Sequence, residues 1–291
     1  MNAAVVTIGT FDGVHLGHQA VLGRVAQLCR ERQLPGIAYT FPSSPQRKRA
    51  HLLLPTPFKI KLLRRYADQV KIIDFQRIRY LSPEQFLQGI LKKKLGAQII
   101  IVGEGFRFGH DRSGDIPFLK EWSKEQGLTV IEVPLVSVDS YPVSSTRIRE
   151  LMLMGKVREA GTLLGRPPLL YGQVVRGDGL GRRIGYPTAN LSIDKTILIP
   201  KKGIYLVDAF CGEIKSAGLL YIGARPSLNE GGLRLEVHLL SPPAAGLYGN
   251  NMEVHLLRRL RGDQSFPTLE ALSRQIGQDI LKARSLKQWK R

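Results

Sequence analysis

Cysteine is scarce: Cys29 and Cys211, far apart in 291 residues, exclude a disulfide framework and leave no zinc ligand set. Cys29 falls among the apolar positions of a helical pattern, which reads as a buried thiol. No apolar run approaches the ~18 residues that a membrane span needs, so no membrane partner is expected. The N-terminus lacks the basic and apolar regions of a secretory signal, and the cytoplasm is the expected compartment. Aromatic residues make up only 7% of the chain, and no strip of them offers nucleobases a stacking platform. No internal repeat occurs, and no Gly-Lys-Ser/Thr closes a Walker loop.

Acidic residues are also few, 24 against 43 Lys and Arg, for a formal charge of +19. A basic chain suits anionic partners. The charge is spread evenly, with 24 basic and 14 acidic residues over 1–165 and 19 and 10 over 166–291. A nucleic-acid arm would be lopsided, so nucleic acid is not expected as the main partner. Nothing indicates an obligate protein partner. At 43% hydrophobic, a chain this long builds cores for about two domains.

What is present begins with Val5 to His18. A β-branched run stops at Gly9, a turn with Asp12 and Gly13 follows, and Val21, Val25, Leu28 and Cys29 then recur at helical spacing. His15 and His18, three apart, project from one side of that helix. A helix start offers free N–H groups and a positive dipole end, and Gly17 between the histidines allows close approach of a ligand. This pattern points to nucleotide chemistry at the end of the first strand.

Strands are expected at 36–41, 70–73, 97–103 and 129–133, with helical patterns at 52–66, from Ser82-Pro83-Glu84 onward, and at 117–126. Strands alternating with helices imply an α/β domain with a parallel sheet, whose ligands gather at the carboxyl ends of the strands. Gly103 to Gly109, with Phe106, Arg107 and Phe108, lies at one such end. Ser144, Ser145 and Thr146, followed by Arg149, stand where another helix begins. They suit a cap or phosphate oxygens.

Near Leu164 to Pro168 the character changes. Short β-rich pieces at 171–175, 204–210, 217–222, 233–240 and 252–257 predict a small closed antiparallel barrel. Leu269, Leu272, Ile276 and Ile280 predict a terminal helix lying against it. Gly177 to Arg182 is a glycine loop with no helix expected after it, and Gly179, Gly181 and Arg182 are its candidate phosphate contacts. Thr188 and Asn190, two apart in extended chain, point to the same side. Two neutral oxygens so placed suit Mg²⁺ that shares a nucleotide's phosphates, or a turn bonding its own backbone. Glu236 and His238 share the polar face of a strand. Facing solvent, Glu236 pairs with Arg234; lining the barrel mouth, it is a general base for an alcohol attacking a γ-phosphate.

These motifs occur together and in order: Gly9-x-Phe11-Asp12-Gly13-Val14-His15-x-Gly17-His18, Phe106-Arg107-Phe108-Gly109, Ser144-Ser145-Thr146-x-x-Arg149, Pro187-Thr188-Ala189-Asn190, Glu236-Val237-His238-Leu239 and Leu247-Tyr248-Gly249. In them the chain resembles the bacterial bifunctional riboflavin kinase/FAD synthetases from about residue 5 to 280. The resemblance implies a Rossmann-like nucleotidylyltransferase domain over 1–165 and a riboflavin kinase barrel over 166–291. In the barrel Thr188 and Asn190 would hold the Mg²⁺-nucleotide, the 177–182 loop would cover the phosphates, and Glu236 would be the base. In the first domain His15, His18, Ser144, Ser145, Thr146 and Arg149 would align ATP and FMN. Gly9, Phe11, Asp12, Gly13 and Gly17 would contact ATP, and Phe106, Arg107 and Phe108 the flavin. Riboflavin, FMN and ATP are the partners so implied.

Three departures stand out: Ser44 where the family has histidine, Gly105 where it has Asp or Asn, and Leu240-Ser241-Pro242 after the Glu-Val-His-Leu strand. The first two remove ligand contacts. The rival readings are a kinase whose first domain turns over poorly and a basic RNA-binding regulator on the same fold. A tRNA synthetase is excluded by size and by the lack of a Lys-Met-Ser-Lys-Ser-like loop.

Overall fold

The computed structural model describes residues 3–42, 51–224, 233–241 and 246–288. It divides into two compact units, Met1–Ser145 and Thr146–Arg291.

In the first unit β1 (Ala4–Ile8) leads through the glycine turn to α1 (Leu16–Arg32), and β2 (Gly36–Thr40), α2 (Thr56–Leu63) and β3 (Gln69–Ile72) follow. A capped turn, α3 (Pro83–Gln85), runs on as a π-type helix over Phe86–Lys94. Next come β4 (Ala97–Gly103), α4 (Ile116–Glu125), β5 (Thr129–Val133) and the small hairpin of β6 (Ser137–Val138) and β7 (Tyr141–Pro142). The five main strands are all parallel, in the order β3-β2-β1-β4-β5.

Successive residues of a strand face opposite sides, and the core obeys this. Val5, Ile99 and Ile101 pack under Val21, Val25 and Leu28 of α1. Val6, Ile100 and Val102 pack on the other side with Leu87, Leu91 and Leu119. Burial on both faces is why β4 reads as an unbroken apolar run. Strand order reverses between β1 and β4, so their carboxyl ends flank a crevice.

The helix expected over 52–66 covers only α2, because Pro55 and Pro57 confine its start. Leu52 to Leu54 are buried instead. Ser82 caps α3 as expected: its Oγ accepts the Gln85 N–H at 3.2 Å and Gln85 Oε1 accepts the Ser82 N–H at 2.9 Å. The π-type continuation was not foreseen.

Beyond α5 (Ser145–Leu153) and α6 (Val157–Leu164), the second unit holds β8 (Leu169–Val175), α7 (Leu180–Arg183), β9 (Ala189–Ile193), β10 (Gly203–Cys211), β11 (Ile214–Ala224), β12 (Leu233–Leu239), β13 (Asn251–Arg261) and α8 (Leu269–Gln288). The strands close into an antiparallel barrel, β10-β11-β12-β9-β8-β13. Helix α6 packs on β13, so by contacts the helices before the composition change belong with the barrel.

Tyr205, Val207, Leu220, Ile222, Val237 and Val254 are buried inside the barrel. The outward side chains Leu206 and Leu219 pack with Ile280 and Ala283 of α8. Leu269, expected on that face, is the first residue of α8 and stays half exposed. Both thiols are unpaired, and burial raises the pKa of each.

Candidate active sites

The first site grows from the turn after β1. His15 is the N-cap of α1, and its Nδ1 accepts the His18 N–H at 3.3 Å. The two imidazoles stack with centroids 3.6 Å apart, and Phe11 meets His18 edge-on at 5.3 Å. Phe11 and Val14 hold φ of 46° and 42°, a left-handed conformation costing about 1–2 kcal/mol per residue. Such strain is characteristic of functional turns. Burial, then the neighbouring His15 and Lys59, keep the pKa of His18 well below its ordinary value. His18 is therefore neutral at pH 7. Its Nδ1 is buried and has no hydrogen-bond partner among the described residues.

A cavity of about 420 Å³ opens here, walled by Gly9, Phe11, His15, Gly17 and His18 from the turn and by Phe106, Arg107 and Phe108 after β4. Phe41, Phe75 and Phe86 add an aromatic side. The histidine and Phe-Arg-Phe motifs, ninety residues apart in sequence, thus share one space. The glycines act less directly than expected: a Cβ on Gly17 would stand 3.2 Å from the His15 ring, and one on Gly9 3.1 Å from Phe11.

Asp12 is buried and does not line the cavity; its Oδ1 accepts the Leu53 N–H at 3.0 Å. Gly13 supplies a φ of 80°. Ser144 precedes α5, and Ser145 at its start donates from Oγ to the Asp12 carbonyl at 2.9 Å. Thr146 and Arg149 lie on α5 in the second unit.

Lys59 carried no sequence signal beyond an ordinary helix position, yet it is only 2% exposed. Its Nζ donates to the carbonyls of Phe41 and, at 3.3 Å, of Thr10. Burial pulls its pKa down to about 8, against the opposing effect of Asp12. Glu104, within the 103–109 segment expected at a strand end, also lines the cavity, as does Arg112, which was missed.

The second site lies on the outer face of the barrel wall. Burial along β12 alternates, with Leu235, Val237 and Leu239 inward and Arg234, Glu236 and His238 outward. The outward face neither opens to solvent nor forms a barrel mouth. It lines a cavity of about 430 Å³ whose other wall includes Leu272, Ile276 and Asp279 of α8. Glu236 does both things expected of it as alternatives: it pairs with Arg234 Nε at 3.1 Å and it faces the cavity. Its Oε2 accepts the Thr188 Oγ1–H at 3.2 Å, and Arg234 is also paired with Asp178.

Asn190 sits opposite Glu236 in the β9–β12 register. The glycine loop wraps these side chains closely: a Cβ on Gly177 would fall 2.1 Å from Asn190 Nδ2, and one on Gly181 3.1 Å from Thr188 Oγ1. Contrary to expectation a single helical turn, α7, follows Gly179 and carries Gly181 and the exposed Arg182. Among the described residues no three His, Cys, Asp or Glu gather as a metal site. The hard oxygens of Thr188 and Asn190 within a cradle that only glycine leaves open do fit Mg²⁺.

Tyr221, Asp263 and Arg261, paired at 2.9 Å with the buried Asp279, complete the wall. None was foreseen. Burial, then the Asp263 and Glu236 charges, push the Tyr221 pKa up to about 12.

A model of the FAD synthetase family matches residues 1–147, and one of the riboflavin kinase family matches 164–287. The bifunctional riboflavin kinase/FMN adenylyltransferase of Pseudomonas fluorescens is 38% identical over 97% of this chain and 92% of its own. The chain belongs to this bifunctional family. Its counterpart in Escherichia coli K12 is 36% identical over 96% of this chain and 91% of its own. A solved structure from Streptococcus pneumoniae, described as a macrolide-efflux protein, matches at a TM-score of 0.89 and 31% identity over 97% of this chain and 94% of that one. That name differs from the family's; among the described residues here no helix is long and apolar enough to cross a membrane.

Membership explains one departure. Gly105 has a φ of 75° with open space at its Cβ position, and in that left-handed region Gly, Asn and Asp are the tolerated residues. The change removes a side chain and leaves the backbone path intact. Ser44 and Pro242 lie outside the described residues. Leu240 packs in the cluster under α8, and neither it nor Tyr248 lines the cavity.

Proposed function

We propose that the two cavities carry out two consecutive reactions. The barrel moves the γ-phosphoryl group of ATP to the 5′-hydroxyl of riboflavin, giving FMN. The parallel-sheet unit moves AMP from a second ATP to the FMN phosphate, giving FAD and pyrophosphate. We assign the first reaction to residues 166–291 and the second to 1–165.

The observation that carries the kinase mechanism is Glu236 in the cavity wall, bonded to Thr188. A hydroxyl nucleophile must lose its proton, and a carboxylate within reach accepts it. By donating to Glu236, the Thr188 hydroxyl keeps its lone pairs available. Thr188 and Asn190 would hold Mg²⁺, which supplies neutralisation of phosphate charge. Gly179, Gly181 and Arg182 would cover the phosphates.

Adenylyl transfer needs no such base, because the FMN phosphate is already ionised. The protein's task is alignment and charge stabilisation. His15 and His18 with Ser144 and Ser145 would serve the α-phosphorus and the leaving pyrophosphate. Phe106, Arg107 and Phe108 would seat the flavin. The proposal places this chemistry in the cytoplasm, without a protein partner.

A second reading, a kinase with a poorly active first unit, draws on the side chain missing at Gly105. Purified protein given riboflavin, ATP and Mg²⁺, with the flavins resolved by chromatography, separates the two. FMN and then FAD should appear; FMN without FAD would remove the second activity.

A further inference from the structure

Arg112 stands apart from the other charges of the first cavity. It lines the cavity, and among the described residues it has no ion pair and no side-chain hydrogen bond. Arg107, in contrast, faces Asp115 at 3.7 Å. Glu104, the one carboxylate among the described lining residues, accepts the Leu135 N–H at 3.1 Å. No acidic side chain of the wall therefore neutralises Arg112.

The loop that presents it is unusually determined. Asp111 and Arg112 hold consecutive φ of 51° and 60°, a region disfavoured for residues with a Cβ. Beneath them Phe108 and Gly114 exchange backbone hydrogen bonds at 3.1 and 3.0 Å, and the His110 N–H donates to the Leu81 carbonyl at 2.7 Å. Gly109 abuts Pro83, where a Cβ would stand 2.9 Å from the ring. Arg112 itself is exposed and open to a ligand at the cavity. Strained backbone over-determined by its surroundings marks functional positions. A guanidinium without a carboxylate partner offers a planar fork of donors matched to phosphate.

We infer that Arg112 binds a phosphate group of one substrate in this cavity, either the monoester of FMN or the polyphosphate of ATP. The inference rests on the adenylylation reading of the first unit. Steady-state FAD formation from supplied FMN and ATP tests it, using full-length protein with Arg112→Ala or Arg112→Lys. One KM should rise roughly 10- to 100-fold in the alanine variant, as expected for a lost hydrogen bond between charged groups. The KM of the other substrate stays unchanged, and lysine restores part of the loss. The affected substrate identifies the phosphate. If it is FMN, inhibition by lumiflavin, which has no phosphate, is the same in both proteins. Riboflavin phosphorylation in the same preparation remains normal and reports an intact chain; should alanine abolish both activities, the lysine variant carries the comparison with a smaller rise. Normal FAD formation with both KM values unchanged, or a loss in kcat alone, overturns the assignment. No FAD from the unaltered chain overturns the adenylylation reading and this assignment with it.

Discussion

The two cavities are almost equal in volume, about 420 and 430 Å³, but they are assembled differently. The first takes its histidines from one turn of chain, where a strand hands over to a helix. The second collects Thr188, Tyr221, Glu236, Asp263 and Asp279 from strands, a loop and a terminal helix. A site made by a local turn has a local motif. A site made on a barrel wall becomes visible only when the register brings Glu236 opposite Asn190 and Tyr221. The chemistry follows the same division, since the hydroxyl of riboflavin needs a base and the phosphate of FMN does not.

The largest effect tests that division directly. Glu236→Gln should lower riboflavin phosphorylation about 10²- to 10⁴-fold, the usual range for a general base, and leave FMN-to-FAD conversion unchanged. His18→Ala should do the reverse. Separate assays of the two half-reactions check both, and a parallel loss of both activities in either variant would break the comparison.

Each unit also holds a cation tied into the fold, and these differ as well. Arg261 meets the carboxylate of Asp279, itself 3% exposed. Removing one partner strands a buried charge, so Arg261→Met should destabilise the protein by about 3–5 kcal/mol. The double variant Arg261→Met/Asp279→Leu should recover most of this in thermal unfolding. Failure of the double variant to recover would mean that the pair acts by holding α8 rather than by charge.

Lys59 has backbone carbonyls as its bonded partners, and its pKa falls from 10.5 to about 8 through burial. The unfolded chain therefore binds this proton more tightly than the folded one. Below pH 8 the ammonium is charged in both states and its burial opposes folding. Between pH 8 and 10.5 the folded state sheds the proton first, and stability gained from this group rises with pH. At about 1.4 kcal/mol per unit, the native chain should gain up to ~3 kcal/mol relative to Lys59→Met across that window. Urea unfolding of both proteins at pH 7.5 and 10 measures it; a pH-independent difference would show that Lys59 does not titrate there.

Much of this was legible in the sequence because backbone periodicity and turn chemistry are local. The alternation of apolar runs gave the parallel sheet, and β12 announced its two faces. Strand β9 was hidden because Ala189 to Ile193 is short and follows Pro187, which reads first as a turn. Lys59 was invisible because a lysine on a helix is ordinarily solvated, and only the fold over Phe41 and Thr10 buries it. Arg261 and Asp279 lie eighteen residues apart and pair only because α8 returns to the barrel.

The smallest effects compare the two glycine turns. In the barrel unit a Cβ on Gly181 would fall 2.4 Å from the Tyr186 carbonyl oxygen. Backbone must then move, and Gly181→Ala should cost about 1–3 kcal/mol by overpacking, with a raised KM for ATP in riboflavin phosphorylation. At Gly17 the nearest atoms belong to the His15 ring, 3.2 Å away, and a side chain can yield by a few tenths of an ångström. Alanine is also worth up to about 1 kcal/mol over glycine within a helix. The two effects nearly cancel, so Gly17→Ala should leave stability within ~1 kcal/mol and slow FAD formation only a few-fold through the displaced imidazole. Abolished FAD formation in a stable Gly17→Ala protein would mean that the ligand itself comes against this glycine. The first cavity would then depend on close backbone approach, as the 177–182 loop does in the second.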